Sequence, residues 1–227
     1  MFANQKVHIH HFTIRLFCRE KKMSLAPQFA GHRWGSNNAP HILEVYLDYV
    51  CPFSAKLYKR LRNEVLPFID QNYSGKVQFI FRQQVQPWHP FSTVVHEAAI
   101  AVEKLDPSKF FVFSDKLFDV QKQYYDESVQ NLTRAQIYES LASHVSEIGL
   151  SSSDFLLLLH IPVSIKSEEA RNAGNKITNE LKWHIKLGRQ IGIHVSPTSL
   201  FDGIIDNDIS SGWTLDQWKE WLAKKVI

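Results

Sequence analysis

The sequence predicts an α/β domain in which a βαβ unit is followed by a helical insertion, a β-hairpin and a final helix. Three observations lead to this fold class. Two runs of β-branched and aromatic residues, 42–47 and 77–81, flank a segment whose apolar residues recur at helical spacing. An Asp-Gly pair at 202–203 separates two further short apolar runs, which is typical of a hairpin. Residues approximately 88–190, between these units, show helical periodicity.

The βαβ unit places a cysteine where a strand ends and a helix begins. The first strand is predicted over residues 42–47 and leads into Cys51. Pro52 suits the first turn of the next helix, where its missing N–H removes no hydrogen bond. The turn residues 72–75 are predicted to end this helix before the second strand, 77–81. Because a helical crossover joins parallel strands in a right-handed sense, both strands should lie in one sheet.

The rest of the chain is predicted to be mainly helical up to the hairpin. Helices are expected over residues 89–105, 110–120, 133–148 and 167–188, and from 214 onwards. Two of them begin with a capping box, Thr133 with Gln136 and Thr214 with Gln217. The hairpin strands are predicted at 198–201 and 204–206, so the sheet resumes after the insertion.

The N-terminal 40 residues are predicted to form an extension and an irregular arm, ahead of a single domain over residues 41–225. Residues 1–22 are basic, with Glu20 as their only carboxylate. They are interpreted either as an upstream extension, with translation also starting from Met23, or as a mitochondrial presequence. Two cysteines, Cys18 and Cys51, cannot build a disulfide framework. We therefore expect a cytoplasmic protein, or a mitochondrial one if residues 1–22 are a presequence.

Composition and motifs argue against several classes of partner. The net charge is +3, from 26 basic and 23 acidic residues, and this balance does not indicate a nucleic-acid-binding protein. The longest apolar run near the N-terminus is too short to span a bilayer. His8, His10 and His11 lie without Cys or carboxylate neighbours, so we expect no metal site.

Two motifs resemble those of the DsbA-like thioredoxin superfamily. Residues 49–54 (Y-V-C-P-F-S) are similar to that family's F-x-C-P-x-C motif after the first core strand. Residues 195–203 (V-S-P-T-S-L-F-D-G) resemble its cis-proline loop and the hairpin that follows. The resemblance covers roughly residues 41–225. It implies a thioredoxin-like fold of the DsbA type, with Cys51 as nucleophile and Pro52, Phe53, Ser196 and Pro197 as substrate-binding residues.

The resemblance departs from the family pattern at Ser54, where thiol-disulfide oxidoreductases of this family have a second cysteine. A helix N-terminus favours the thiolate form of Cys51, which is the nucleophilic form. Ser54, one turn further on, is a candidate catalytic residue because its hydroxyl or backbone N–H would reach the thiolate. It cannot resolve a mixed disulfide, so Cys51 is expected to form mixed disulfides with a protein thiol or with glutathione as co-substrate, without a bound cofactor.

Other interpretations remain open at this point. Cys51 is also compatible with a small buried core residue, which would make the domain a catalytically degenerate module that binds a peptide or protein. Ser54 equally suits a purely structural place in the first helical turn. The predicted scaffold also resembles that of kappa-class glutathione transferases and related isomerases, which carry S-P-Y-S where this chain has C-P-F-S. Residues 86–90 (Q-P-W-H-P) either border a substrate groove or form a rigid strand-to-helix turn.

Overall fold

The centre of the fold is a five-stranded mixed sheet with strand order β1-β3-β2-β4-β5 in the computed structural model, which describes residues 25–162 and 168–226. The strands are β1 (His32–Trp34), β2 (His41–Leu47), β3 (Val77–Gln83), β4 (Thr198–Phe201) and β5 (Ile204–Ile205). β2 and β3 pair in parallel, and the other pairs are antiparallel. The predicted α/β fold class is confirmed.

Helices fill the connections of the sheet. A continuous helical segment joins β2 to β3 and consists of α1 (Pro52–Arg60), a π-helical turn (Leu61–Val65) and α2 (Leu66–Asn72). The insertion between β3 and β4 contains α3 (Ser92–Leu105), α4 (Phe110–Asp119), α5 (Asp126–Val129), α6 (Arg134–Glu147), α7 (Ser152–Leu159) and α8 (Thr178–Gln190). The chain ends with α9 (Leu215–Lys225). Both predicted capping boxes are present, at the starts of α6 and α9.

The sequence-based boundaries are wrong in several places. Residues 32–34, expected to belong to the irregular arm, form β1 instead, because the ring of His32 is buried and stacks on Phe110 at 3.6 Å. The helix expected from residue 89 begins at Ser92 and the one expected from residue 167 begins at Thr178, and α5 and α7 were not predicted. Residues 1–22, with Cys18 and the three clustered histidines, lie outside the described residues, as does Ser167.

An aromatic cluster joins the sheet to the insertion and fixes the position of the strand end that carries Cys51. Tyr49 lies 5.3 Å from Phe81 of β3 and 5.0 Å from Phe118 of α4, measured between ring centroids. All three rings are buried, and such aromatic pairs add to the stability gained from burying apolar area.

Within the described residues, no helix is both long and apolar enough to cross a membrane.

Candidate active site at the start of helix α1

Cys51 is the N-cap residue of α1 and has extended backbone angles, φ −84° and ψ 120°. Its side chain is 5% exposed, and Sγ donates a hydrogen bond of 3.4 Å to the carbonyl oxygen of Ser196. The Ser196–Pro197 peptide bond is cis. Cys51 and Ser196, which lie 145 positions apart in the chain, are therefore in contact, and this contact brings the two sequence motifs together.

Pro52 and Phe53 occupy the first turn of α1 directly after Cys51, and both side chains are exposed. Phe53 is 63% exposed, although it is a large apolar residue. Val195, next to the cis-proline loop, is exposed to a similar degree. Two exposed apolar residues thus lie near the contact between Cys51 and Ser196 in sequence: Phe53 is two residues after Cys51, and Val195 directly precedes Ser196.

Ser54 is fully buried, and its hydroxyl contacts the backbone of Asp48. Its Oγ accepts a hydrogen bond of 3.2 Å from the backbone N–H of Asp48. Among the hydrogen bonds of the described residues, none joins Ser54 to the sulfur of Cys51. Of the two interpretations of Ser54, the structural one has a contact to support it, and the predicted catalytic one has none.

The buried carboxylate of Asp48 holds the cysteine loop in place. It is fully buried and accepts hydrogen bonds from Val50 N (3.0 Å), Ser92 Oγ (2.9 Å), Gln86 N (3.1 Å) and His89 Nδ1 (3.0 Å), with His96 Nε2 at 3.5 Å. Its backbone carbonyl also accepts from Cys51 N at 3.1 Å. Sequence analysis missed this residue, although an acidic residue in an otherwise apolar strand end is a usable signal.

Asp48 and His89 stabilise each other's charged forms. Burial would raise the pKa of Asp48, but the hydrogen bonds from His89, His96 and Val50 outweigh it and hold the pKa far below its usual range. The hydrogen bond to Asp48 raises the pKa of His89, although partial burial of the ring opposes this change. Each group therefore favours the charged form of the other.

Gln121 secures the loop from the side of the insertion. Its Nε2 donates to the carbonyl oxygens of Tyr49 (2.6 Å) and Cys51 (2.9 Å). Tyr125 in turn donates to Gln121 Oε1 at 2.7 Å. Burial raises the pKa of Tyr125, and the nearby charge of Cys51 raises it further. No local sequence pattern marked Gln121, because its role depends on contacts with residues about 70 positions away.

A family model described as thioredoxin matches residues 28–224. The chain belongs to this thioredoxin family. The match begins before β1, which agrees with the pairing of that strand in the sheet of this thioredoxin domain. No curated protein matches the chain.

In the described residues, no cluster of three or more His, Cys, Asp or Glu side chains is arranged to bind a metal ion.

Solved structures show the same fold. One is a candidate protein-disulfide isomerase from Pseudomonas syringae, with TM-score 0.65, 24% identity, and coverage of 86% of this chain and 99% of that one. Another is oxidised BdbD from Bacillus subtilis, with TM-score 0.62, 20% identity, and coverage of 86% and 92%. A third is the thiol-disulfide exchange protein α-DsbA2 from Wolbachia pipientis, with TM-score 0.57, 20% identity, and coverage of 87% and 89%. The predicted thioredoxin-like fold of the DsbA type is confirmed.

Proposed function

We propose that this thioredoxin-family protein is a single-cysteine thiol-disulfide exchange enzyme in which Cys51 forms mixed disulfides with a protein thiol or with glutathione. One observation carries this proposal: Cys51 is the N-cap of α1, and its sulfur contacts the backbone of Ser196 beside Pro197. The N–H groups and dipole at the start of a helix stabilise a thiolate. The similar structure of α-DsbA2, a thiol-disulfide exchange protein, supports the same chemistry.

The proposed reaction has two exchange steps. The Cys51 thiolate attacks one sulfur of a disulfide R–S–S–R; the S–S bond breaks, R–S⁻ leaves and takes a proton, and Cys51–S–S–R forms. An external thiol R′–SH then attacks the mixed disulfide as its thiolate. This step releases R–S–S–R′ and restores the Cys51 thiolate, which keeps the enzyme unchanged over the cycle.

The exposed surface beside the sulfur provides a place for the substrate. Phe53 and Val195 present apolar side chains, and the backbone of Ser196 lies within reach of the sulfur. Pro52, Phe53, Ser196 and Pro197 are the proposed substrate-binding residues. The reaction needs no bound cofactor, since glutathione enters as co-substrate. We place it in the cytoplasm, or in mitochondria if residues 1–22 are a presequence.

The test is the pH dependence of Cys51 alkylation by iodoacetamide in a Cys18→Ser variant, with peptide mapping to confirm the site. An activated thiolate gives a rate midpoint well below about 8.5, the usual value for a free cysteine. Mass spectrometry after addition of oxidised glutathione should then show one adduct that dithiothreitol reverses. Alkylation only after unfolding would disprove the proposal.

A second candidate is a binding module without turnover, and the low exposure of Cys51 favours it. In that case the surface formed by Phe53 and Val195 would bind an extended peptide, while Cys51 stays unreactive. Cys51→Ser separates the possibilities. If the protein is the proposed enzyme, this variant forms no mixed disulfides. If it is a binding module, the variant binds peptide as the wild type does. Only a kappa-type transferase would still conjugate glutathione to an electrophile.

A further inference from the structure

A cavity of about 430 Å³ lies between α1 and the turn that follows α4, next to the proposed nucleophile. Pro52, the residue after Cys51, and Tyr125 both line it. Gln121, another lining residue, donates to the backbone carbonyl of Cys51 at 2.9 Å. The raised pKa of Tyr125, due to burial and then to the charge of Cys51, reflects the same proximity. The cavity therefore adjoins the loop that carries the sulfur atom.

The cavity has an excess of positive charge. Lys56, Lys59 and Lys122 line it, and Asp119 is its only lining carboxylate. Asp119 forms an ion pair of 2.7 Å with Lys59, so these two charges compensate each other. Lys56 and Lys122 take part in none of the ion pairs found among the described residues. Three cations against one anion leave the lining with a net charge of +2.

The distances suit a short substrate. Lys56 lies five residues after Cys51 on a helix, or roughly 7 Å along the axis. An extended peptide spans about 3.3–3.6 Å per residue, so a carboxylate two or three residues from a substrate cysteine reaches this lysine. The two carboxylates of glutathione lie within the same range of its sulfur.

We propose that this cavity binds a carboxylate of the disulfide substrate, so that Cys51 exchanges preferentially with disulfides that carry acidic groups close to the sulfur. This inference rests on the proposed function and names its substrate class. Lys56 and Lys122 are then the residues that determine specificity. The exchange step itself is unchanged, since the lysines bind the substrate and take no part in bond making.

The test compares three peptide disulfides with the full-length Cys18→Ser protein: the symmetric disulfides of acetyl-Cys-Gly-Asp-amide (anionic), acetyl-Cys-Gly-Asn-amide (neutral) and acetyl-Cys-Gly-Lys-amide (cationic), in which the variable residue lies two positions from the cysteine. Each rate of mixed-disulfide formation is divided by the rate of the same disulfide with 2-mercaptoethanol, which removes differences in intrinsic reactivity. We expect the anionic disulfide to be favoured over the neutral one roughly three- to tenfold at low salt, because each exposed ion pair contributes up to about 1 kcal/mol. Added salt should reduce this preference.

Matched variants connect the preference to the cavity. Lys56→Met with Lys122→Met should lower the anionic-to-neutral ratio to about one. Asp119→Asn should raise it, since Lys59 loses its partner. Lys76→Met is the control: Lys76 is exposed and precedes β3, at the end of the parallel β2–β3 pair opposite to Cys51, and it should leave the ratio unchanged.

Each outcome decides a specific point. If Cys51 reacts with all three disulfides and the ratio is near one in every variant, the proposed charge preference is wrong and the proposed function stands. If Cys51 reacts with none of them, both proposals fail. A preference that follows the variants supports the inference. Glutathione disulfide and an acidic cysteine peptide disulfide, compared at equal concentration, then show which source of the carboxylate fits better.

Discussion

Replacing Asp48 by Asn tests whether the buried carboxylate network holds the cysteine loop. Asn keeps the shape of the side chain but exchanges one acceptor oxygen for an NH₂ group. Two hydrogen-bond donors face each oxygen of Asp48: Val50 N and Ser92 Oγ on one, Gln86 N and His89 Nδ1 on the other. In either orientation of the amide, one backbone N–H, of Val50 or of Gln86, therefore loses its acceptor, whereas Ser92 Oγ and His89 Nδ1 can also accept from the NH₂ group.

The expected loss of stability follows from this stranded donor. A buried donor left without an acceptor costs roughly 1–3 kcal/mol. The whole free energy of unfolding of a domain is about 5–15 kcal/mol. The Asp48→Asn substitution should therefore remove a substantial part of it.

Urea unfolding at pH 7, followed by the fluorescence of the six tryptophans, measures this loss. Asp70→Asn is the matched control, because Asp70 is exposed near the end of α2 and should change the stability by less than about 0.5 kcal/mol. A loss below about 1 kcal/mol for Asp48→Asn, or one equal to the control, would refute the assigned role.

The pH profile gives a second measurement of the same change. The folded state lowers the pKa of Asp48, so the stability that its charge contributes is present above the unfolded value of about 3.9 and is lost as the pH falls below it. The difference in stability between the wild type and Asp48→Asn should therefore narrow in acid. A difference that stays constant down to the acid limit of folding would contradict this assignment.

The remaining predictions concern the neighbours of Asp48 and Cys51. Ser54→Ala should cost roughly 1–3 kcal/mol, because a buried amide loses its acceptor, while the alkylation rate of Cys51 changes less than twofold. Gln121→Ala should cost a similar amount, measured by urea unfolding against Gln71→Ala at an exposed position of α2. Because the folded state raises the pKa of His89, the protonated ring contributes stability that is fully present below the unfolded pKa of about 6.5. This stability is lost as the pH rises through the folded-state pKa. His89→Asn, which keeps a donor, should show no such loss.

Elements with strong local signals were predictable from the sequence. The Pro after Cys51 marked the start of α1, the turn residues 72–75 marked the end of α2, and two capping boxes marked α6 and α9. The D-G pair marked the turn between β4 and β5, where Asp202 adopts a positive φ of 51°. These signals act within a few residues, so they do not depend on the rest of the fold.

Elements whose stability comes from distant partners were not predictable. β1 has three residues, and it is a strand because it pairs with β3 and because His32 packs on α4. The role of Asp48 depends on donors about 40 positions further along the chain, in residues 86–92. For that segment, the hydrogen bonds support the interpretation as a rigid strand-to-helix turn, since the backbone of Gln86 and the ring of His89 both anchor on Asp48.

In the proposed exchange reaction, the serine at position 54 determines how a mixed disulfide at Cys51 would be released. Ser54 has no thiol, and its hydroxyl is buried and hydrogen-bonded to the backbone N–H of Asp48, so the first turn of α1 offers no second group to attack the bond. Release then requires a thiol from outside, and its rate should rise in proportion to added glutathione and extrapolate to zero without it in the Cys18→Ser protein. A nonzero rate at zero thiol would show that another group resolves the bond. A nonzero rate that appears only when Cys18 is present would identify Cys18 as that group.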